Sequence, residues 1–417
     1  MRIRIYDSKQ LENRTWYLGS GNLYEYLCQL RPNFFLYKIQ RRLVTNRYLD
    51  GIYQTIEQGE PIPPLTLISP QPLAVDNGYA VINLQNIDIL DGLQRTYRLW
   101  VIYKMSLLCE QLVQKDHHNL LNKIKTEEPD LLELDFVNLK FLKKMTEKRA
   151  DGLFIDSLID KMKAFDTTFT VWSGLTEEEV VKKMLILNAG QKPVSATHQC
   201  ELIFMKFFDA HELQINNNII KLYREKDEQF ERVRKGNRAV GEYLFSSMVI
   251  SLLSYINKKP MRVSIDKIIQ WDNENYFASD EMLLFFNRQY LSKFVSAVYE
   301  TDSEVMKHKS PKTTLFPDEE ILSWFGKDTT MSGIFAALGD MNIDPSLFAK
   351  AIGRIDFNLS SFEQEYQSLS SVRINVGNEV RKAVYRYTKG QLVGKPISWM
   401  LAFGNNLREY AKGESLF

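Results

Sequence analysis

The chain has 417 residues, which is more than one ordinary hydrophobic core accommodates and which predicts two or three domains. Hydrophobic residues make up 44% of it and charged residues 25%, values typical of a globular protein. Lysine and arginine total 53 against 52 for aspartate and glutamate, so any contact with DNA has to be a local patch and not a uniformly basic surface.

Cysteine usage and hydropathy indicate the cellular compartment and argue against several kinds of site. Cys28, Cys109 and Cys200 form no CxxC pair and their number is odd, which argues against a disulfide framework and against a zinc site. This usage is typical of a reducing cytosol, so we expect a cytoplasmic protein, with neither zinc nor haem as a cofactor. No apolar run reaches membrane-spanning length, so no membrane association is expected.

The elements predicted in the first part of the chain alternate strands and helices. In chain order they are a strand at Arg2–Tyr6, polar turn material, a helix at Leu23–Leu30, a helix over 38–60 that ends at Gly59, a buried strand at Leu65–Ser69 and a hairpin at Asp76-Asn77-Gly78. Proline, glycine and Asn-Gly signals bound these segments. A strand at Ile87–Leu90 then stops at Asp91-Gly92, and apolar residues recur at helical spacing over Tyr97–Leu112.

The turn between this strand and this helix is the first candidate site. The free N–H groups and the dipole at a helix start favour an anion, and Gly92 lets a ligand approach the backbone closely. Arg95 offers a planar fork for phosphate oxygens, Gln94 and Thr96 add neutral hydrogen bonds, and Asp91 is placed to hold a metal ion or orient a water. The alternative is an ordinary turn in which Asp91 caps the helix and Arg95 is paired on the surface. As an exposed turn residue, Arg95 is expected to contribute little to folding.

The segments that follow predict an insertion and a second strand–helix unit. Residues 113–166 are rich in charged residues at helical spacing and predict an inserted helical hairpin. Thr168–Trp172 predicts a strand. The capping-box spacing that starts at Thr176 begins a helix, which ends at Asn188–Gly190, and a further helix starts near Ser195.

Two further groups of polar residues are candidate ligand contacts. Asn188, Gln191 and Lys192 surround the end of that second helix, and Gln40 and Arg41 precede the first buried strand. The alternative for the first group is a helix cap with a polar loop. The alternative for the second is a solvated helix face.

Taken in order, these segments resemble the DGQHR-domain proteins of the ParB/sulfiredoxin-like superfamily, whose members include DndB and DpdB of DNA-modification systems. The order is Gln-Arg, a proline-bounded strand, a hairpin, Asp-Gly-x-x-Arg, a strand, and an acidic helix that runs into Asn-x-Gly-Gln-Lys-Pro-x-Ser. The resemblance covers roughly residues 38–205. Leu93 stands where the family has Gln and Gln94 where it has His. No Cys lies in the turn, which excludes sulfiredoxin-type thiol chemistry.

The resemblance implies an α+β fold of ParB/sulfiredoxin-like type. A small mixed sheet with the inserted helical hairpin forms a nucleotide-binding domain over residues 1–205, and a mainly helical domain follows over 206–417. Asp91, Arg95, Asn188 and Gln191 are expected to line one concave site. That site would bind a nucleoside triphosphate with Mg²⁺, with Asp91 as the candidate catalytic and metal-binding residue.

The implied function is a nucleotide-binding component of a bacterial DNA-modification or anti-phage defence system, with hydrolysis left open. Expected partners are DNA and other proteins of such an operon, and oligomerisation is left open. The first alternative is a non-enzymatic DNA-binding regulator. The second is a ParB-like nuclease, for which the local sequence offers only Asp88 and Asp91. The basic clusters Arg232–Arg238 and Lys258–Arg262 predict that the C-terminal half faces DNA or a partner.

Overall fold

The fold is mixed α+β, with a seven-stranded sheet in the N-terminal part and a mainly helical C-terminal part, which confirms the predicted class. The computed structural model describes residues 1–36, 43, 46–109, 117–134, 136–150, 152–189, 195–205, 207–208, 214–215, 218–262, 264, 282, 284–307, 321–370 and 376–404. The chain divides into two compact units, Met1–Pro193 and Val194–Phe417. The predicted boundary at residue 205 concerns functional domains and stays a prediction.

The first unit contains nine strands among its described residues. They are β1 (Arg2–Leu11), β2 (Arg14–Asn22), β3 (Leu65–Ser69), β4 (Val75–Asp76), β5 (Tyr79–Val81), β6 (Asp88–Asp91), β7 (Lys148–Arg149), β8 (Gly152–Leu153) and β9 (Asp166–Ser173). Seven of them form one sheet in the order β4-β5-β1-β2-β9-β3-β6, and β7 and β8 form a separate two-stranded ribbon. Within the sheet β3 and β9 are parallel, and the other neighbouring pairs are antiparallel. The strand β6 therefore lies at one edge of the sheet.

The helices of the first unit pack against this sheet and against each other. They are α1 (Leu23–Cys28), α2 (Arg47–Asp50), α3 (Ile52–Gln58), α4 (Leu93–Cys109), α5 (His117–Glu127), α6 (Leu139–Met145), α7 (Phe154–Ala164) and α8 (Glu177–Ala189). α1, α4 and α7 contact one another, and their apolar residues join those of the sheet in one buried core. α8 packs against β6.

Several local predictions are confirmed. β3 spans the predicted Leu65–Ser69, and all of its residues are buried. The hairpin turn has Asn77 at φ 49° and Gly78 at φ 77°, which the Asn-Gly signal predicts. Thr176 and Glu179 form the capping box: each backbone N–H donates to the other's side chain, at 3.0 and 3.3 Å.

The predicted helical hairpin over 113–166 is wrong in detail. Its described residues form three helices, α5, α6 and α7, with the short β7–β8 ribbon between the last two. Gly152, at φ 136°, turns the chain in this ribbon, and the Asp156 carboxylate then accepts from the N–H of Leu153 at the start of α7. Charge and helical spacing alone did not reveal this break.

The second unit is mainly helical, as predicted. Its elements are α9 (Ala196–Phe204), β10 (Gln214–Ile215), β11 (Asn218–Ile219), β12 (Lys221–Tyr223), α10 (Phe230–Arg234), β13 (Glu242–Leu244), α11 (Phe245–Ile256), α12 (Arg288–Val305), α13 (Ile321–Phe325), α14 (Asp328–Asp340), α15 (Phe348–Ile352), α16 (Leu359–Ser370), α17 (Val376–Leu392) and α18 (Trp399–Phe403).

The helix α14 lies at the centre of this unit, between α11 and α17. A Cβ at Gly339 would lie 2.0 Å from the carbonyl oxygen of Tyr255, and one at Gly333 would lie 2.7 Å from Val384. Glycine therefore permits the close approach of all three helices. Among the described helices of the chain, none is long and apolar enough to cross a membrane.

Candidate functional site

The predicted strand-to-helix turn is present, and Gly92 alone separates β6 from α4. Gly92 has φ 95°, and a Cβ there would lie 2.3 Å from Cδ2 of Leu65. The N–H of Thr96 donates to the carbonyl of Gly92 at 2.8 Å, which places the first helical bond directly after the turn. The apolar periodicity over Tyr97–Leu112 predicted a helix that starts just after the turn, and α4 confirms it. Both the backbone conformation and the close packing on β3 require glycine here.

Arg95 is bonded to its own fold. Its Nη2 donates to Oδ2 of Asp91 at 2.9 Å and to the carbonyl of Pro64 at 3.3 Å, and its Nη1 donates to the carbonyl of Pro63 at 2.7 Å. Burial lowers the pKa of Arg95, and the Asp91 carboxylate opposes this shift. Only 11% of the side chain is exposed, so the expectation of an exposed arginine is wrong. Arg95 ties the start of α4 to the segment that leads into β3.

Gln94 belongs to a second internal network, centred on Arg98. The guanidinium of Arg98 donates through Nη1 to the carbonyl of Gln94 at 3.0 Å and through Nε to Oδ1 of Asp50 at 2.8 Å. Its side chain is fully buried, so this ion pair anchors α2 to α4. Arg98 was not among the predicted site residues. The available signal was an arginine four residues after Gln94 and flanked by apolar residues from Tyr97 to Tyr103.

Thr96 supports the turn from the core side. Its hydroxyl lies 3.2 Å from the hydroxyl of Tyr26, and neither side chain has any exposed surface. Burial raises the pKa of Tyr26, so this phenol stays neutral. A direct ligand contact from Thr96 stays a prediction, and it would require this buried hydroxyl to become accessible.

The remaining predicted contacts cannot be placed beside the turn. Gln40, Arg41, Gln191 and Lys192 lie outside the described residues, and Asn188 lies in the last turn of α8 with its side chain outside them. α8 packs against β6, the strand that ends at the turn. The single concave site built from both loops therefore stays a prediction.

The acidic residues of β6 are both in ion pairs. Asp91 accepts from Arg95, as described above, and Asp88 accepts from Nη2 of Arg31. Within the described ranges no group of three His, Cys, Asp or Glu side chains could hold a metal ion. For Asp91 to bind Mg²⁺, its carboxylate would have to share or release the Arg95 guanidinium.

The basic cluster at the start of the second unit is largely neutralised by carboxylates. Arg232 pairs with Glu242 at 2.8 Å, and Arg234 pairs with its helix neighbour Glu231 at 2.7 Å. Arg238 is buried and gives no basic surface. These pairs leave Lys235 as the one exposed cation of the cluster without a carboxylate partner among the described residues, so the structure gives no support to the predicted DNA-facing role of this cluster.

The chain is a mixed α+β protein in which one glycine joins the edge strand β6 to the long helix α4. The side chains of the first turn of α4 form hydrogen bonds within the fold. Comparison with family models, with curated proteins and with solved structures finds no match for the chain. The local geometry and the resemblance of the motifs are therefore the grounds for a functional proposal.

Proposed function

We propose that this chain binds a nucleoside triphosphate with Mg²⁺ at the β6–α4 turn, as a DGQHR/ParB-like component of a bacterial DNA-modification or anti-phage defence system. The observation that carries the proposal is the junction itself. A 17-residue helix starts directly after an edge strand, with a glycine at positive φ as the only connecting residue. The aligned dipoles of so long a helix favour an anion at its N-terminus.

The residues fit a phosphate better than they fit a metal ion. The three hydrogen bonds of Arg95 use one N–H of Nη1 and both of Nη2, so Nε and the second N–H of Nη1 are the donors it would offer to a phosphate oxygen. Gln94, which is partly exposed, lies on the same first turn of α4. α8 packs against β6, the strand that ends at the turn, and contacts from Gln191 and Lys192 rest on the motif resemblance alone.

The alternative is a DNA-binding regulator that binds the nucleotide without turnover, or that has lost the nucleotide altogether. The pairing of Asp91 with Arg95 favours this alternative, because a carboxylate held in an ion pair is not free to position a metal ion or a water. The nuclease hypothesis is weaker still, because Asp88 is also paired, with Arg31.

The test is equilibrium binding of labelled nucleoside triphosphates, with and without Mg²⁺, by the whole chain. Arg95→Ala and Lys192→Met should each weaken binding by roughly tenfold or more, because each removes a charge-assisted contact. Lys163→Met is the matched control for Lys192→Met, since Lys163 is exposed and its one ion pair among the described residues is with Asp160. Thermal unfolding of each variant separates lost binding from lost structure. Absence of binding by the folded wild type would refute the proposal.

Asp91→Asn separates the enzyme from the regulator. Asn keeps an oxygen that accepts from Arg95, so the turn should stay intact. An NTPase should lose most of its turnover in this variant and keep its affinity, because charge near the reacting phosphate is lost. A regulator should show no hydrolysis in the wild type either, which phosphate release measures directly.

A further inference from the structure

We propose that the sheet surface at β1 and β5 binds single-stranded nucleic acid. The surface consists of Arg2, Arg4, Tyr6, Tyr79 and Val81, and we call it the Arg–Tyr face. In the register of the sheet Arg4 is opposite Tyr79 and Arg2 is opposite Val81, so these four side chains project from the same side. This assignment is separate from the proposed nucleotide site, since β1 and β5 lie near one edge of the sheet and β6 at the other.

Tyr6 joins the same side through a bulge in β1. The pairing of β1 with β2 shifts between Ile5 and Asp7, which leaves Tyr6 as the extra residue. Its hydroxyl lies 2.6 Å from the hydroxyl of Ser20, and Ser20 is the cross-strand partner of Arg4. The bulge therefore places the Tyr6 ring beside the two arginines.

The Arg–Tyr face is open to solvent, whereas the other side of the same strands is packed. Tyr6 is 56% exposed, Tyr79 38% and Val81 74%. On the opposite side Ile3 and Ala80 are 1% and 3% exposed and belong to the core. A strand pair buried on one side normally presents polar residues to water on the other. Two tyrosines and a valine there instead form a platform suited to contact with flat apolar groups.

The arginines of this face carry positive charge that no carboxylate neutralises among the residues that the structure describes. The other arginines of the first unit with described side chains all pair with a carboxylate: Arg14, Arg31, Arg95, Arg98 and Arg149. Arg2 instead lies over the ring of Tyr79 at 4.0 Å, and Arg4 over that of Tyr6 at 5.6 Å. Neither forms an ion pair within the described part of the chain. Guanidinium groups held beside rings keep their donor edges for an anion.

Exposed tyrosine rings beside arginines favour single-stranded over double-stranded nucleic acid. Aromatic rings stack with bases of any sequence, and arginines beside them bind the phosphates between those bases. Bases in a duplex are stacked inside and cannot reach a sheet surface. Asp76, which is opposite Tyr79 in β4, would repel phosphate, so the strand should follow β1 and not cross β4.

The experiment measures fluorescence anisotropy of labelled oligo(dT), oligo(rU) and a duplex with the whole chain across a salt series. Arg2→Gln/Arg4→Gln should weaken single-strand binding by roughly tenfold or more and reduce the salt slope by about 1.4, which is 0.7 for each lost phosphate contact. The matched control, Arg14→Gln/Arg149→Gln, removes the same charge from paired arginines and should keep affinity and slope near those of the wild type.

Tyrosine substitutions give an independent readout. Tyr6→Ser and Tyr79→Ser should each weaken binding by roughly fivefold to a hundredfold with an unchanged salt slope, because stacking is lost and no phosphate contact is. Preference for oligo(dT) or oligo(rU) identifies the nucleic acid. No single-strand binding by the wild type at low salt, equal binding of the duplex, or an unchanged slope in the Arg2→Gln/Arg4→Gln variant would overturn the proposal. Retained nucleoside triphosphate binding in these variants would show that the two sites are independent.

Discussion

Gly92→Ala tests whether close packing of the turn on β3 defines the candidate site. At φ 95° an alanine costs about 1–2 kcal/mol through its backbone conformation. The added methyl group would also lie 2.3 Å from Cδ2 of Leu65, a fully buried side chain, and overpacking of this kind costs about 1–3 kcal/mol. We therefore expect a loss of about 2–5 kcal/mol in the free energy of unfolding, measured by urea denaturation.

Gly78→Ala is the matched control for this substitution. Gly78 also has a positive φ, 77°, but a Cβ there would meet no atom within 4 Å. Its loss should thus be the backbone cost alone, about 1–2 kcal/mol. In a double-mutant cycle, Gly92→Ala should destabilise the Leu65→Ala variant less than it destabilises the wild type, by roughly the overpacking cost. If Gly92→Ala destabilises no more than Gly78→Ala, Leu65 accommodates the methyl group and the reasoning is wrong.

Three further substitutions test single contacts by chemical or thermal denaturation. Arg95→Ala should cost about 1.5–3 kcal/mol, because it leaves the Asp91 carboxylate without its partner, and a loss near zero would contradict this. Asp302→Ala should cost about 3–5 kcal/mol, because Arg238, bonded to both Asp302 oxygens at 2.7 and 2.8 Å, would remain as a buried unpaired charge. Burial raises the pKa of Glu201 in the folded protein above its value of about 4.3 in the unfolded chain. The protonated carboxyl therefore stabilises the fold fully below pH ~4.3, and this stabilisation is lost as the pH rises through the folded-state pKa. Glu201→Gln should therefore raise the melting temperature at mildly alkaline pH and lose that advantage in acid, and a pH-independent difference would contradict this.

Local signals in the sequence predicted much of the first unit but did not predict the strand β2. Prolines and Asn-Gly marked β3 and the hairpin correctly. β2, however, was taken for polar turn material, although it pairs along its length with both β1 and β9. Its Gly19 lies inside the strand, where a Cβ would lie 2.4 Å from the carbonyl oxygen of Arg4. This glycine permits close approach inside a strand, which single-sequence patterns cannot distinguish from a turn.

At the candidate site, too, local sequence signals predicted the turn but not the contacts that its side chains make with distant residues. The Asp-Gly boundary predicted the turn, because that signal lies within a few residues. The partners that bond its side chains are far away in the chain: Pro64 lies 31 residues before Arg95, and Tyr26 lies 70 residues before Thr96. Such pairings arise from the sheet order, which no local pattern encodes. These pairings leave only 11% of the Arg95 side chain exposed, where the sequence alone predicted an exposed arginine.

The two prolines that accept from Arg95 have a kinetic consequence. Their rings restrict the backbone before the chain folds, so the carbonyls of Pro63 and Pro64 are directed at the guanidinium with little further loss of chain entropy. A turn held in this way already has its shape before any ligand arrives. Association should then show a single phase whose rate rises in proportion to ligand concentration, with no slower step of loop closure after the encounter.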